Sequence, residues 1–155
     1  MEEVMHLFRG KLNKLQLRSN NECYGPCPEP NDEVEQHLTI VDDGRVWFSR
    51  YCYDENYRQK LQEKRAFKVS AEAAKGILIR VAKYFSQTHV MEYITDVGSW
   101  DAVLTNTEGT VFKFGGPLVH DLEYEGCGLS RLIRENLRIS DLYAFDGNPD
   151  YNDFL

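Results

Sequence analysis

Two hairpin signals, each followed by a helical pattern, limit the folds open to this sequence more than any other feature. The first signal lies at residues 37–51, where two β-rich runs flank residues 42–44 (Asp-Asp-Gly). The second lies at residues 100–114, where the runs flank residues 107–109 (Thr-Glu-Gly). Strand-like runs on either side of such turn residues are typical of β-hairpins. Because successive side chains of a strand alternate between its two faces, the loop length decides which residues are buried together.

A three-residue loop gives each hairpin one apolar face. The cross-strand pairs that it predicts on these faces are Leu38 with Phe48, Ile40 with Val46, Ala102 with Phe114 and Leu104 with Phe112. Gly44 and Gly109 then occupy the left-handed position of the loop, where only glycine is free of steric cost. The same register turns Trp47 toward the opposite face of its strand, so we expect this side chain to lie outside the main core.

The pattern after each hairpin indicates a helix. Apolar residues recur at helical spacing over residues 71–88, behind Ser70 as the N-cap, and over residues 129–138. Gly76, inside the first helix, predicts close packing against the sheet. The alternation within residues 7–18 is compatible with one further strand. We therefore predict an α+β fold, with an antiparallel sheet of about four to six strands, two helices on one face and a possible ββα repeat.

The length of 155 residues indicates a single domain that covers residues 1–155. Residues 19–36 hold several Asn, Gly and Pro in close succession and are predicted to form a loop, and residues 146–155 are predicted to form an acidic tail. The chain opens with acidic residues and has no apolar run of about 18 residues, so we expect neither a secretory signal nor a membrane span. These features predict a cytoplasmic location.

Charge is unevenly distributed along the chain, whose formal net charge is -7. Residues 45–83 carry +6, whereas residues 19–44 carry -7 without a single Lys or Arg. A basic segment of this kind could bind the phosphates of nucleic acid, which is one alternative function. Nucleic-acid modules are usually basic as a whole, however, and the sequence pI here is about 5.1. We therefore expect the acidic segments to neutralise the basic block 45–83, and we expect no nucleic-acid partner.

Cys127 is the candidate nucleophile of a second alternative, a cysteine-dependent enzyme. It lies between two glycines immediately before the second predicted helix, and a helix N-terminus favours the reactive thiolate. His120 lies seven residues earlier and could be brought close by the connecting loop to act as the base. The charges of Asp121, Glu123 and Glu125 work against a thiolate. The competing interpretation is that Cys127 is a small residue in a tight turn.

The cysteines do not form a metal-binding pattern. Cys23 and Cys27 are separated by three residues, whereas Cys52 and Cys127 are far from them in sequence. A common zinc site needs two closely spaced pairs of ligands. We therefore predict no metal and no cofactor.

Aromatic side chains supply the remaining candidate for a functional site. Trp47, Tyr51 and Tyr53 share one face of a predicted strand with Arg45. Aromatic residues and arginine are enriched among the residues that contribute most to protein interfaces. Our leading hypothesis is a small non-enzymatic binding or regulatory protein that acts through protein–protein contacts. Its partner would be another protein or a second copy of the chain.

Five segments of the second half form one pattern. They are residues 98–104 (GSWDAVL), 108–109 (EG), 115–116 (GG), 129–134 (LSRLIR) and 142–147 (LYAFDG). This pattern resembles one found in small bacterial α+β proteins to which no activity is attached. The resemblance spans roughly residues 98–147 and implies a fold class without implying any functional residue.

Overall fold

An antiparallel sheet of six strands carries two helices on one of its faces, which confirms the predicted α+β class. A computed structural model describes residues 6–22, 28–90, 94 and 96–148 of the chain. The strands of the sheet are β1 (Leu12–Asn20), β2 (Glu33–Val41), β3 (Arg45–Tyr53), β4 (Gln59–Lys68), β5 (Ser99–Asn106) and β6 (Val111–Pro117). The helices are α1 (Ala71–Phe85) and α2 (Leu129–Leu137), and a short separate hairpin is formed by β7 (Glu123–Tyr124) and β8 (Cys127–Gly128).

The strand that comes first in the chain lies in the middle of the sheet. The spatial order is β4-β3-β2-β1-β5-β6, so β1 separates the two predicted hairpins and pairs with one strand of each. Leu15 of β1 lies opposite Ile40 on one side and Leu104 on the other. All three side chains are fully buried, so β1 joins the two halves into one core.

Both hairpins have the predicted register. Leu38 pairs with Phe48, Ile40 with Val46, Ala102 with Phe114 and Leu104 with Phe112. Gly44 and Gly109 have φ values of +101° and +84°, as a glycine in the left-handed position of a three-residue loop requires. At Gly44 a Cβ atom would lie 2.1 Å from the carbonyl oxygen of Val69, whereas at Gly109 it would meet nothing within 4 Å. The two turns are therefore alike in backbone and different in surroundings.

Helix α1 begins where the sequence predicts and ends earlier. The backbone N–H of Ala73 donates to the Ser70 hydroxyl at 3.0 Å, so Ser70 is the N-cap. The helix ends at Phe85 with Ser86 as its C-cap, and His89 Nε2 lies 2.7 Å from the carbonyl oxygen of Tyr84 in the last turn. The close packing against the sheet that was predicted at Gly76 is wrong, since a Cβ atom there would meet nothing within 4 Å.

The core lies between the sheet and the helices. Its largest fully buried side chains are Leu15, Leu38, Ile40, Phe48, Ile77, Leu78, Leu104, Leu129, Ile133, Ile139, Leu142 and Phe145. Among the described residues, no helix has both the length and the apolar character needed to cross a membrane.

The predicted loop at residues 19–36 is shorter than expected. Strand β1 continues to Asn20 and β2 begins at Glu33, so strand pairing takes up both ends of the predicted loop. The start of β2 forms hydrogen bonds with a distant part of the chain. The Gln36 side chain donates to the backbone oxygen of Asp141 and accepts from the backbone N–H of Tyr143. Cys23 and Cys27, which belong to the predicted loop, lie outside the described residues.

The predicted acidic tail is also wrong in its first residues. Asp146 forms an ion pair with Arg134 of α2, and Asn148 is buried with its amide donating to the backbone oxygen of Ser140 at 2.7 Å. Residues 146–148 therefore belong to the folded body, and the rest of the predicted tail lies outside the described residues.

The proposed ββα repeat stays a hypothesis. Each hairpin is followed by a helix, but the connections differ, since β4 lies between β3 and α1 whereas the small β7–β8 hairpin lies between β6 and α2. The shared feature is the three-residue turn.

Arg50 connects four parts of the chain on the helix side of the sheet. Its guanidinium lies 3.2 Å from the carboxylate of Glu33 in β2, 3.0 Å from that of Glu63 in β4, and 2.6 Å from that of Asp141, which follows α2. The hydrogen bond from Arg50 lowers the pKa of Asp141 below its ordinary value, although partial burial of the carboxylate opposes this. The cluster fixes the segment after α2 against the sheet.

Candidate functional site

The face of the sheet opposite the helices, here called the open face, holds the aromatic residues singled out from the sequence. Strand pairing aligns its side chains in rows that run from edge to edge. One row reads Ala66, Trp47, Thr39, Gln16, Val103 and Lys113. The next reads Lys64, Ser49, His37, Arg18, Asp101 and Gly115. Both helices pack on the other side, so among the described residues these rows have no helix above them.

The open face is positively charged in an acidic chain. Its basic side chains are Lys14, Arg18, Arg45, Lys64, Lys68 and Lys113, and its acidic ones are Glu35 and Asp101. Counted over the paired strand residues alone, six basic and two acidic groups give this surface a net charge of +4, whereas the chain as a whole carries -7. Charge is therefore segregated between the open face and the rest of the molecule.

Trp47 lies on this face and outside the core, as its register predicts, with 37% of its surface exposed. The guanidinium of Arg45 lies 5.4 Å from the centre of the indole, within the range of a cation–π interaction. Asp43, in the adjacent turn, contacts the Arg45 Nε at 2.7 Å and orients the guanidinium. The two residues predicted to bind a partner are thus in contact with each other.

Tyr51 and Tyr53 continue the aromatic side of β3 beyond Trp47 and are half-buried. The Tyr51 ring contacts that of His37 with centroids 4.6 Å apart, and it lies opposite Leu61, which is 51% exposed. The four predicted binding residues therefore occupy one continuous side of β3.

A buried carboxylate beneath His37 is a feature that sequence reasoning missed. Glu35 Oε2 lies 2.6 Å from His37 Nε2, and the other carboxylate oxygen accepts from Asn20 at 2.9 Å and contacts Arg18 at 3.2 Å. Burial alone would raise the pKa of Glu35, but the hydrogen bonds of these three partners together lower it. Glu35 thus stays ionised and fixes His37 and Arg18 on the open face.

A shallow depression of about 470 Å³ crosses the centre of the open face. Its polar lining consists of Gln16, Arg18, His37, Thr39, Asp101 and Lys113. Three of these side chains are basic or imidazole groups, so the depression suits an anionic group of a ligand. Residues two apart in a strand share a face, so Glu35 lies beside His37 because both belong to β2.

The basic block 45–83 does not form one surface. Arg45, Lys64 and Lys68 lie on the open face, whereas Lys75 and Arg80 are exposed on α1, across the sheet from it. The other three basic residues of the open face, Lys14 and Arg18 of β1 and Lys113 of β6, lie outside this block. The run of basic residues in the sequence therefore does not show which residues form the positively charged surface.

Cys127 and His120 have separate structural surroundings. Cys127 lies in β8, directly after the Glu125–Gly126 turn of the small hairpin, where both turn residues have positive φ. The N-terminal N–H groups of α2 are already bound: the Asp121 carboxylate accepts from Ser130 at 2.8 Å and from Arg131 at 3.3 Å. Asp121 therefore occupies the position at which a helix N-terminus would stabilise a thiolate.

His120 lines a cavity of about 440 Å³ at the end of α1. Cys127 is not among the described residues that line this cavity. The pairing of Cys127 with His120 for catalysis stays a prediction, and the surroundings of the thiol do not supply the activation on which it rests.

Within the described part of the chain, no three His, Cys, Asp or Glu side chains are grouped closely enough to hold a metal ion. No protein-family model matches the chain, and no curated protein matches it.

Proposed function

We propose that this chain is a small cytoplasmic, non-enzymatic binding protein whose open face takes an acidic segment of a partner protein. The observation that carries the proposal is the net charge of +4 on a sheet face that also exposes Trp47. Complementary charge speeds the encounter of two proteins and selects between partners. A partly exposed aromatic side chain supplies the apolar area that charge alone does not.

The two parts of the surface have different roles. Arg45 and Trp47 form an aromatic and cationic pair at one end of β3, whereas the depression offers the positive charges of Arg18 and Lys113 at the centre of the sheet. An extended segment with an apolar residue over Trp47 and carboxylates over the depression matches both. The nucleic-acid alternative uses the same charge, so the test has to separate a peptide from an oligonucleotide.

The experiment measures fluorescence anisotropy with two labelled probes, an acidic peptide of ten residues that contains one Phe, and a ten-nucleotide oligo(dT). We expect the peptide to bind more tightly, with an affinity that falls as salt rises. We expect Trp47→Ala to weaken peptide binding about tenfold or more. A tenfold change corresponds to a loss of ~1.4 kcal/mol in binding free energy, as expected for a residue that contributes strongly to an interface. The same variant is expected to stay folded, with a loss of stability well below the ~3–5 kcal/mol of a core aromatic truncation.

A matched pair of charge reversals is the control. Lys64→Glu changes the open face and Lys75→Glu makes the same change in charge on the exposed side of α1. Only Lys64→Glu should weaken peptide binding. Equal effects of the two variants would mean that the chain responds to overall charge and would contradict the proposal. Tighter binding of oligo(dT) would favour the nucleic-acid alternative, and a dimer in sedimentation that Trp47→Ala dissociates would identify a second copy as the partner.

A further inference from the structure

Strand β4 forms one edge of the sheet and exposes its backbone to solvent. Among the described residues no further strand lies beyond it, and β3 occupies its inner side. Every residue of β4 except Phe67 is exposed. The other edge strand, β6, is shorter and ends at Pro117, which has no backbone N–H to donate. The free edge of β4 is therefore the better place for the addition of a further strand.

The pairing with β3 shows which backbone groups of β4 face outward. The N–H of Val69 donates to the Gly44 carbonyl at 2.9 Å, so the backbone of Val69 points toward β3. Along an antiparallel strand, the N–H and C=O of one residue point to one side and those of the next residue to the other. Lys64, Ala66 and Lys68 lie an odd number of positions before Val69, so their N–H and C=O groups point to the free edge. The register shift in β4 precedes Lys64 and does not interrupt this alternation.

The same three residues turn their side chains toward the open face. Ala66 pairs with Trp47 of β3, and Lys64 and Lys68 lie two residues away on either side of it. Only the methyl group of Ala66 therefore separates the free edge from the partly exposed indole. A strand added at this edge lies two strand spacings, about 10 Å, from β3. A large apolar side chain opposite Ala66 can then pass over this methyl group to the indole.

The charge of β4 determines which kind of strand this edge accepts. Four of its ten side chains are basic and one, that of Glu63, is acidic, so the strand carries +3. Two copies of the chain that joined their β4 edges would bring these positive charges together, so the edge opposes self-association. Carboxylates opposite Lys64 and Lys68 would instead form cross-strand pairs of opposite charge, which stabilise a sheet. The edge therefore favours an acidic strand of another protein.

We propose that an acidic segment of a partner protein adds to β4 as a seventh, antiparallel strand. Within this segment two acidic residues, four positions apart, lie opposite Lys68 and Lys64, and a large apolar residue midway between them lies opposite Ala66. Main-chain hydrogen bonds provide the affinity of such a strand, and its alternate side chains provide the specificity. The proposal goes beyond the function proposed above, since this site needs neither Arg18 nor Lys113 of the depression.

The experiment measures fluorescence anisotropy with a labelled nine-residue peptide of threonine that has Glu at its third and seventh positions and Phe at its fifth. In the bound strand the N–H of this Phe donates to the Ala66 carbonyl, whereas the N–H of the preceding Thr points to solvent. N-methylation of the Phe removes the hydrogen bond and places a methyl group between the strands, so we expect it to weaken binding at least about tenfold. N-methylation of the preceding Thr is the matched control and should change the affinity less than about twofold.

Variants of the protein test the same edge. Ala66→Pro removes an N–H that β3 does not use, a position at which an edge strand tolerates proline, and should weaken peptide binding at least about tenfold. Lys64→Glu should also weaken binding. Lys113→Glu makes the same change in charge at the far edge of the sheet and should leave the affinity unchanged at about 0.15 M salt, where charges so far apart are screened.

Amide hydrogen exchange locates the added strand directly. We expect the peptide to slow exchange at Lys64, Ala66 and Lys68 and to leave Arg65 and Phe67, whose N–H groups face β3, unchanged. No saturable binding, equal binding of the two N-methylated peptides, or no slowing at Ala66 would each overturn the proposal, and a dimer that Ala66→Pro dissociates would replace the partner by a second copy. Binding that responds to Lys113→Glu but to neither N-methylation would support the function proposed above and overturn strand addition. The peptide and exchange results decide the matter if Ala66→Pro does not fold.

Discussion

Gly44 and Gly109 show how one residue type meets two different demands. Both have positive φ, but only Gly44 also lies against a backbone atom, since its carbonyl accepts from the Val69 N–H at 2.9 Å and its missing Cβ leaves room for the Val69 carbonyl. We expect Gly109→Ala to cost about 1–2 kcal/mol, the ordinary cost of a left-handed residue with a side chain. Gly44→Ala should cost clearly more, because the backbone that leads into the Ser70 cap has to move. Urea unfolding of the two variants side by side measures the difference, and equal losses would contradict this account.

The position of Trp47 could be predicted from sequence because it depends on local geometry alone. Once Gly44 fixes the length of the loop, alternation along β3 places every side chain on one face or the other. The contact of Glu35 with His37 could not be found in the same way, because Glu35 lies in a stretch whose breakers and polar residues predict a loop. Its burial depends on Asn20 and Arg18 of a strand that joins it from elsewhere in the sequence.

The Arg50 cluster acts between elements, where it holds the segment after α2 to the strands. Because Arg50 lowers the pKa of Asp141 in the folded state, the unfolded chain binds the proton of this group more readily. The contribution of Asp141 to stability is therefore complete above its ordinary value of 3.8 and is lost as the pH falls through the lower value of the folded state. Asp141→Asn should be less stable than the wild type at neutral pH, by no more than about 1 kcal/mol because the carboxylate is partly exposed.

The measurement is the free energy of unfolding at about pH 7 and about pH 3. We expect the gap between the wild type and Asp141→Asn to narrow at the lower pH, as the wild type loses its advantage. Glu108→Gln, a change at an exposed acid in the Gly109 turn, serves as the control for acid effects that have no such partner. A gap that stays constant with pH would show that Asp141 stabilises the fold by shape alone.

Where a strand begins and ends depends on the contacts of its residues with the rest of the chain as well as on their β-propensity. This is why the start of β2 and most of β4 could not be predicted from the sequence. Residues 33–36 are polar enough to predict a loop, yet they form the start of β2 because Arg50, Asn20 and the Asp141 backbone satisfy their side chains. The edge strand β4 is exposed along almost its whole length, so it has no apolar alternation to reveal it. Strands with one face in the core can be predicted from their pattern, whereas only the last residues of β4, 66–68, look like a strand in the sequence.

At the scale of the whole molecule, the central position of β1 makes the two halves depend on each other. Leu15 is fully buried between Ile40 and Leu104, so Leu15→Ala should cost about 2–5 kcal/mol. We expect one unfolding transition, shifted equally in far-UV circular dichroism and in the fluorescence of Trp100 in a Trp47→Phe background. Leu61→Ala, an exposed apolar position, should change stability by less than about 0.5 kcal/mol. Two separate transitions in Leu15→Ala would mean that the halves fold independently.

The order of strands across the sheet could not be predicted from the sequence. The hairpins follow from residues that are neighbours in the chain, but the pairing of β1 with β5 joins residues more than 75 positions apart. Nothing in the pattern of residues 12–20 distinguishes a central strand from an edge strand. A strand pairs with its neighbours through backbone N–H and C=O groups, which do not depend on the side chains. The helix layer, by contrast, followed from spacing alone.

The same central strand has a consequence for synthesis on the ribosome. β1 emerges before either of its neighbours, and its second neighbour, β5, begins 79 residues after β1 ends. At roughly 5–20 residues per second, that interval lasts on the order of 4–16 s. During this time one edge of the nascent β1–β2 pair has free backbone donors and acceptors, which is the kind of edge that recruits other strands. The growing chain is therefore most exposed to faulty pairing while it is half made, and a chaperone that shields extended segments would act in that interval.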